Sequence, residues 1–473
     1  MKTISCYFPA KRGMLLLFLL LLAACTSRGL DSPESRQGES EVPTVRLTVA
    51  IQEYVNQDVL RTAVQKFEAA NPGVEVELIR MPADRYDESL HMMMTSGEGP
   101  DLFNASTGWL ATYLYKNWLL DLSEWVEPSL LAGYPAWAID YTRENSHFYA
   151  IPSEAATLRL VYNKKLFRRA GLDPDLPPGT LAELRQYASR ISQAGEGYRI
   201  YGFALPAGEN EPLLQALEVG STRSGLYYYG YDNGKYDFSV YAPWFELMLH
   251  MKQDGGMFPG ETSLTADTAL TQFAEGNIGM MYMTNREFVS LSQMMKDRSA
   301  LGIALPPVYD PASKTKGALM ITLQAPLVVH NHSEHKAEAV ELWKWLHDGS
   351  YQEQLYRLGV SIPLQRKGGL PDRQTNHVLQ DFQPGEAEAP YPQEPKFILE
   401  NRSASGVANV SYASRTRVYK DILLGVTSPR EALLLLSEQY NRSLGNAVYR
   451  GLINMEHYIY PDFDPLSPMN ESK

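Results

Sequence analysis

The residues of this chain with the right types to do chemistry are a histidine run, a methionine run and polar or aromatic residues at predicted strand ends. His330-Asn331-His332-Ser333-Glu334-His335 carries the donor atoms of a metal site. No cysteine and no established ligand spacing accompanies it, however. It falls where a strand turns into a helix, so exposed histidines and a capping Ser333 account for it. Met92-Met93-Met94 sits on a predicted helix and reads as core filling, not as a soft-metal box. No nucleophile elbow, paired-histidine zinc motif, phosphate loop or dinucleotide fingerprint occurs. The 55 acidic residues offer many carboxylate pairs of the kind glycoside hydrolysis uses, but no spacing singles one out. The expectation is a chain that is not an enzyme, with no metal and no cofactor.

The elements that position the polar candidates are legible near the start. Val45, Leu47, Val49 and Ile51 alternate along VRLTVAI and predict a strand. Asn56-Gln57-Asp58 opens a helix with Val59, Ala63, Phe67 and Ala70 on one stripe, and Asn71-Pro72-Gly73 closes it. A second strand runs from Val74, a helix from about Ala83 carries the methionines, and Gly97 and Gly99 break it. Leu102-Phe103-Asn104 is the third strand. Strand, helix, strand, helix, strand predicts a parallel sheet with helical crossovers. Ligands of such sheets meet the carboxyl ends of the strands. The candidates there are Glu53 and Tyr54 after the first strand, and Asn104, Ser106 and Trp109 after the third. A solvated loop explains the first pair as well, and a core-facing helix position explains Trp109 as well.

Further along, Thr157–Tyr162 reads as extended, Asn163 opens a helix closed by Gly171, and Thr180 with Glu183 forms a capping box. Helices are predicted over Pro243–Lys252, Ala266–Phe273 and Ser333–His347. Strands are predicted at Gly276–Met283, Ile303–Leu305 and Ala318–Leu323. Ser428-Pro429-Arg430-Glu431 is a strong helix start.

The N-terminus is a different kind of sequence. Lys2, Lys11 and Arg12 precede a short apolar run, Met14–Leu22, followed by Leu22-Ala23-Ala24-Cys25. This resembles the bacterial lipobox, with cleavage before a cysteine whose sulfur carries a diacylglyceryl group. Residues 1–24 are then a signal peptide and 25–44 a polar, lipid-anchored tether. Cys6 would leave with the signal, so no disulfide is expected. A formal net charge of −12 argues against nucleic acid as a partner.

Together with GEGPDLFNAS (Gly97–Ser106), YAIPSEAATLRLVYNKKLFRRAGL (Tyr149–Leu172), FAEGNIGMMYMTN (Phe273–Asn285), LGIALPPV (Leu301–Val308), GVSIPL (Gly359–Leu364) and TSPREALLLLSEQYNRSL near the C-terminus, this organisation resembles the family 1 extracellular solute-binding proteins. These are the sugar-type receptors of ABC importers, and the chain is distantly similar to maltodextrin-binding proteins. The resemblance implies an α/β, two-lobed, type II periplasmic-binding-protein fold with hinge crossovers. The N-terminal lobe would hold 45–155 plus about 316–365, and the C-terminal lobe 156–315 plus about 366–473. It implies a carbohydrate ligand in the cleft, an ABC permease as partner, and a monomer held by lipidated Cys25 on the outer face of the cytoplasmic membrane. It also adds Glu154, Gln215, Asn285, Arg286 and Tyr412 as ligand candidates. Met283-Thr284-Asn285 lacks the tryptophan that many relatives carry near that point, which argues against a maltodextrin-like site. A non-sugar solute such as a peptide or polyamine, a carbohydrate-active enzyme and a sensor are the competing readings.

The run LYYYGYDNGKYDF (Leu226–Phe238) is read as a hairpin turning at Asn233-Gly234, with Tyr227, Tyr229 and Tyr231 on one side and Tyr228 on the other. It marks the second lobe, with at most one side reaching the cleft rim.

Overall fold

A computed structural model of the chain describes residues 44–466 except 53–56, 83–84, 107–108, 141, 145–146, 153, 314–320, 324–325, 360, 366–376, 384–390, 393, 396–411 and 452. The expected signal peptide, Cys25, nearly all of the tether, Glu53 and Tyr54 lie outside the described residues. Among those described, no helix is long and apolar enough to cross a membrane.

The first sheet has the strand order Leu327–Val329, Leu102–Asn104, Val45–Gln52, Val74–Met81. Val45–Gln52 runs parallel to both of its neighbours, as the alternating pattern and helical crossovers required. Leu327–Val329 adds an antiparallel edge from far along the chain. The crossover helix Gln57–Ala70 buries Val59, Ala63 and Phe67. Ala70 is exposed, because Asn71 already closes the helix: its backbone and side-chain N–H groups both donate to the Phe67 carbonyl at 2.9 Å. The next helix is Tyr86–Ser96, ended by Gly97 at φ +81°, a left-handed conformation that glycine adopts without strain. The methionine run divides there: Met94 is in the core and Met92 is 66% exposed.

The second sheet has the order Leu301–Ala304, Leu158–Asn163, Ile278–Thr284, Tyr201–Ala204. Leu158–Asn163 is buried at every position, the mark of a strand covered on both faces. Asn163 caps the helix Lys164–Arg169, and Thr180 with Glu183 forms the expected capping box on Leu181–Ala194. A third, short sheet joins Thr322–Leu323, Glu154–Ala156 and Ile362–Pro363, three passages of chain lying side by side.

One helix starts later than the sequence reading, and another lacks its expected cap bond. The helix expected from Ser333 begins at Lys336, because the Ser333 hydroxyl donates to Asp101 (2.6 Å) and accepts the His335 N–H (3.0 Å), holding a turn instead. Helix Pro429–Tyr449 begins where expected, but the Ser428 hydroxyl makes no capping bond.

The tyrosine run does form a hairpin. Tyr229–Gly230 pairs antiparallel with Lys235–Tyr236, and Gly234 takes φ +67° in the turn. Neither side of it is open. Tyr228, Tyr229, Tyr231 and Tyr236 are all nearly inaccessible. The Tyr228 hydroxyl donates to Glu394 at 2.5 Å, Arg415 lies 4.9 Å over the Tyr228 ring, and Phe463 packs 4.6 Å from Tyr231. The Tyr460 N–H donates to the Tyr231 carbonyl at 2.7 Å. The run is thus aromatic core, sealed by segments from residues 391–395 and 454–466.

Candidate ligand-binding residues

One group of candidates gathers at the carboxyl ends of the first sheet, and Tyr86 fixes their spacing. Its hydroxyl accepts the Asn104 N–H at 2.9 Å and lies 3.1 Å from the Ala50 carbonyl, so adjacent strands are pinned just before they end. Beyond that pin, Gln52 donates to the Ser106 hydroxyl (3.2 Å), and Ser106 donates to Asp87 (2.5 Å). Asp87 lies in the first turn of helix Tyr86–Ser96, where the helix dipole favours a carboxylate. Burial raises its pKa, opposed by the Ser106 bond. Asn104 and Ser106 are half-buried.

Trp109 sits beside this chain of bonds at the N-terminal end of helix Leu110–Tyr115. It is half-buried, stacked 6.1 Å from Tyr113 and tilted 5.2 Å from His91. His91 in turn lies 5.4 Å from Trp118. Part of the indole is therefore anchored in a cluster, as the core-facing reading expected, and part remains accessible. Burial and the nearby Lys116 charge lower the His91 pKa.

A second group surrounds the N-terminus of helix Asn285–Met294. Thr284 and Glu287 form a capping box: Glu287 accepts the Thr284 N–H (2.7 Å) and hydroxyl (2.8 Å), and the Glu287 N–H returns to Thr284 at 3.3 Å. Asn285 is wholly buried and Arg286 half-buried. Arg286 is the positive charge shared by the group. Burial raises the Glu154 pKa and Arg286 pulls it back. Glu211 is open to solvent at its edge, yet packing around it also raises its carboxyl, with Arg286 opposing and Glu209 reinforcing. Burial raises Glu287 as well, against its bonds from Thr284 and with Glu211 and Glu209 adding repulsion. Tyr351 is raised by burial and by Glu154, with Arg286 opposing. Gln215 donates to Glu211 at 3.0 Å, one helical turn along. With Leu158, Pro206, Pro212, Tyr282 and Glu287, Gln215 lines a small pocket. Glu154 belongs to the three-stranded sheet, Arg286 and Gln215 to helices of the second sheet's layer, and Tyr351 to helix Ser350–Arg357.

Tyr412 opens helix Tyr412–Leu423; its side chain lies outside the described residues. The histidine run has another use: His330 is buried, with its pKa pushed down to about 4 by burial and then by His332. No group of metal-ligating side chains occurs among the described residues. Sequence reasoning missed Asp87, Glu211, Glu287 and Tyr351. The Thr284-x-x-Glu287 spacing was the available signal for one of them. No sequence pattern singled out Asp87 or Glu211.

A model of the family described as bacterial extracellular solute-binding protein matches residues 46–348, more than half of the chain. A putative binding protein of Brucella abortus is 22% identical over 71% of this chain and 79% of its own length. Among solved structures, the GacH receptor of Streptomyces glaucescens, determined unliganded and with acarbose, superposes with a TM-score of 0.69 at 18% identity, covering 85% of this chain and 99% of that one. An ABC transporter solute-binding protein of Thermotoga lettingae bound to α-D-tagatose gives 0.68 at 22% identity, covering 85% and 100%. These superpositions fix the fold as two-lobed and α/β.

Proposed function

The chain belongs to the bacterial extracellular solute-binding protein family, and from that premise we propose that it captures a sugar or oligosaccharide in an interlobe cleft and presents it to an ABC permease. Lipidated Cys25 would hold it on the outer face of the cytoplasmic membrane. The observation that carries the sugar reading is the Gln52–Ser106–Asp87 chain of hydrogen bonds beside the partly accessible face of Trp109. Sugars present C–H faces that stack on aromatic rings and hydroxyls that take charge-assisted hydrogen bonds, and this site offers both. Arg286, Glu211 and Gln215 would meet the ligand from the other lobe. Structural relatives solved with acarbose and with tagatose support the class.

The lobes we take are 45–155 with about 316–365, and 156–315 with about 366–473. Pairing of Leu327–Val329 with the first sheet supports that return. Function then needs no covalent step: a solute that binds the closed arrangement more tightly than the open one shifts the population toward closure.

The test is a thermal-shift screen of the chain from residue 44 onward against mono- and oligosaccharides, peptides and amines. A saccharide at a hundred times its dissociation constant stabilises the fold by about 2.7 kcal/mol. Stabilisation by peptides or polyamines and by no saccharide overturns the sugar reading. Release of a hydrolysed product overturns the receptor reading.

A further inference from the structure

Arg159 is among the largest fully buried side chains of the protein, on the strand Leu158–Asn163. Its guanidinium is spent on carbonyl oxygens: Nε donates to Asp381 (2.9 Å), Nη2 to Gln383 (3.0 Å) and Nη1 to Leu158 (3.1 Å). Two residues earlier, the Thr157 hydroxyl donates to the intervening Phe382 carbonyl at 2.5 Å. The carbonyls of 381 and 383 are thus held by strand Leu158–Asn163, and that of 382 by Thr157 just before it. Phe382 itself is fully buried, with its ring 5.3 Å from Phe288. The short helix His377–Gln380 just before it also contacts helix Asn285–Met294, and Leu379 is buried. In the sheet, Arg159 lies opposite Met283, the residue before the Thr284 cap of that helix.

Residues 379–383 therefore bridge two things by different means. Backbone carbonyls fasten them to the strand, and apolar side chains press them on the helix whose first turn carries Arg286. A buried guanidinium has a fixed fork that spans neighbouring carbonyls, which an ammonium cannot do. Its removal leaves the part-buried Asp381 and Gln383 carbonyls without the donors that hold them.

We propose that Arg159 is a positioning residue: its clasp on Asp381–Gln383 fixes helix Asn285–Met294, and with it Arg286, relative to strand Leu158–Asn163. This rests on the reading of Arg286 as a ligand-facing group, but the placement of the helix can be measured without any ligand.

The experiment is hydrogen–deuterium exchange on the full chain, with Arg159→Met, Arg159→Lys and Phe382→Ala, alongside maltotriose titration. Arg159→Met is expected to speed amide exchange in 285–294 at least tenfold, leaving 45–52 at the parent rate. Arg159→Lys restores part of the protection. Phe382→Ala, which retains the carbonyl bonds but loses the ring against Phe288, loosens 285–294 in the same way. Where the parent binds maltotriose, Arg159→Met weakens that binding at least tenfold. Parent that ignores maltotriose removes that sugar from the functional reading, and exchange alone then decides the clasp. Unchanged exchange in 285–294 in Arg159→Met overturns the proposal, whatever Phe382→Ala does. So does an equal rise in 45–52, which would make Arg159 a general support of the fold.

Discussion

Tyr86 and Asn104 hold each other where the first sheet ends: the Asn104 N–H donates to the Tyr86 hydroxyl at 2.9 Å, and that hydroxyl lies 3.0 Å from the Asn104 carbonyl. Tyr86→Phe leaves the part-buried Asn104 N–H without the Tyr86 hydroxyl it donates to, a loss of about 1 kcal/mol in unfolding free energy. Urea melts check the figure. Saccharide affinity falls too, because Ser106 follows directly from the pinned strand end.

Trp109→Ala separates stacking from folding. We expect weakening of saccharide binding by about tenfold or more, equal to about 1.4 kcal/mol, with Trp109→Phe retaining much of it. Calorimetric titration of both variants is the measurement. Equal affinity in the alanine variant would remove Trp109 from the site.

Helix Asn285–Met294 begins with a complete capping box. Thr284→Ala removes the hydroxyl that accepts from Glu287 and is expected to lower stability by about 1 kcal/mol. Thr284→Ser retains the cap and serves as the control. If the two melt alike, the box contributes nothing measurable.

Stability on the acid side is set in part by buried histidines. His347 is stacked 3.8 Å from Trp343 with its ring nitrogens near the Trp343 and Ile151 carbonyls. Burial pushes its pKa from 6.5 down to about 4. Between those values the unfolded chain binds a proton that the folded chain refuses. Stability therefore falls as pH drops through this window, at up to about 1.4 kcal/mol per pH unit per group. His330 adds to the same slope. Asp87, Glu154 and Glu287 act in the opposite sense, since their raised pKa values make the fold less stable as pH climbs through them. His347→Gln lowers absolute stability, so the readout is slope: urea melts of the variant across this window must be flatter than those of the parent.

Cys25→Ala addresses the anchor. Cell fractionation should find the variant released or retained as an uncleaved precursor, and mass spectrometry should find no acyl group. A processed, membrane-bound variant would end the lipobox reading.

Periodicity and capping carried most of the fold. The alternation in Val45–Ile51, the stripe through Phe67 and the Thr180–Glu183 box are local patterns, and each formed. The antiparallel edge at Leu327–Val329 was not legible, because its partner Leu102–Asn104 lies far away in sequence and neither strand is long enough to show a period. The site divides the same way. Ser106 and Trp109 became candidates from their places after a strand end, whereas no sequence pattern singled out Asp87 or Glu211. Their packing, Asp87 against Ser106 and Glu211 near Arg286, is what makes them candidates.

The sealed tyrosine hairpin also sets a timetable. Tyr229 donates to the Tyr458 carbonyl at 3.0 Å, and Tyr231 packs on Phe463. A lobe whose aromatic interior opens with residues 226–238 is not whole until residue 463 has been synthesised. A growing chain must therefore carry a half-built, tyrosine-rich surface through about half of its translation. Under the proposed export by the N-terminal signal, this aromatic interior would close only after nearly the whole chain had crossed the membrane.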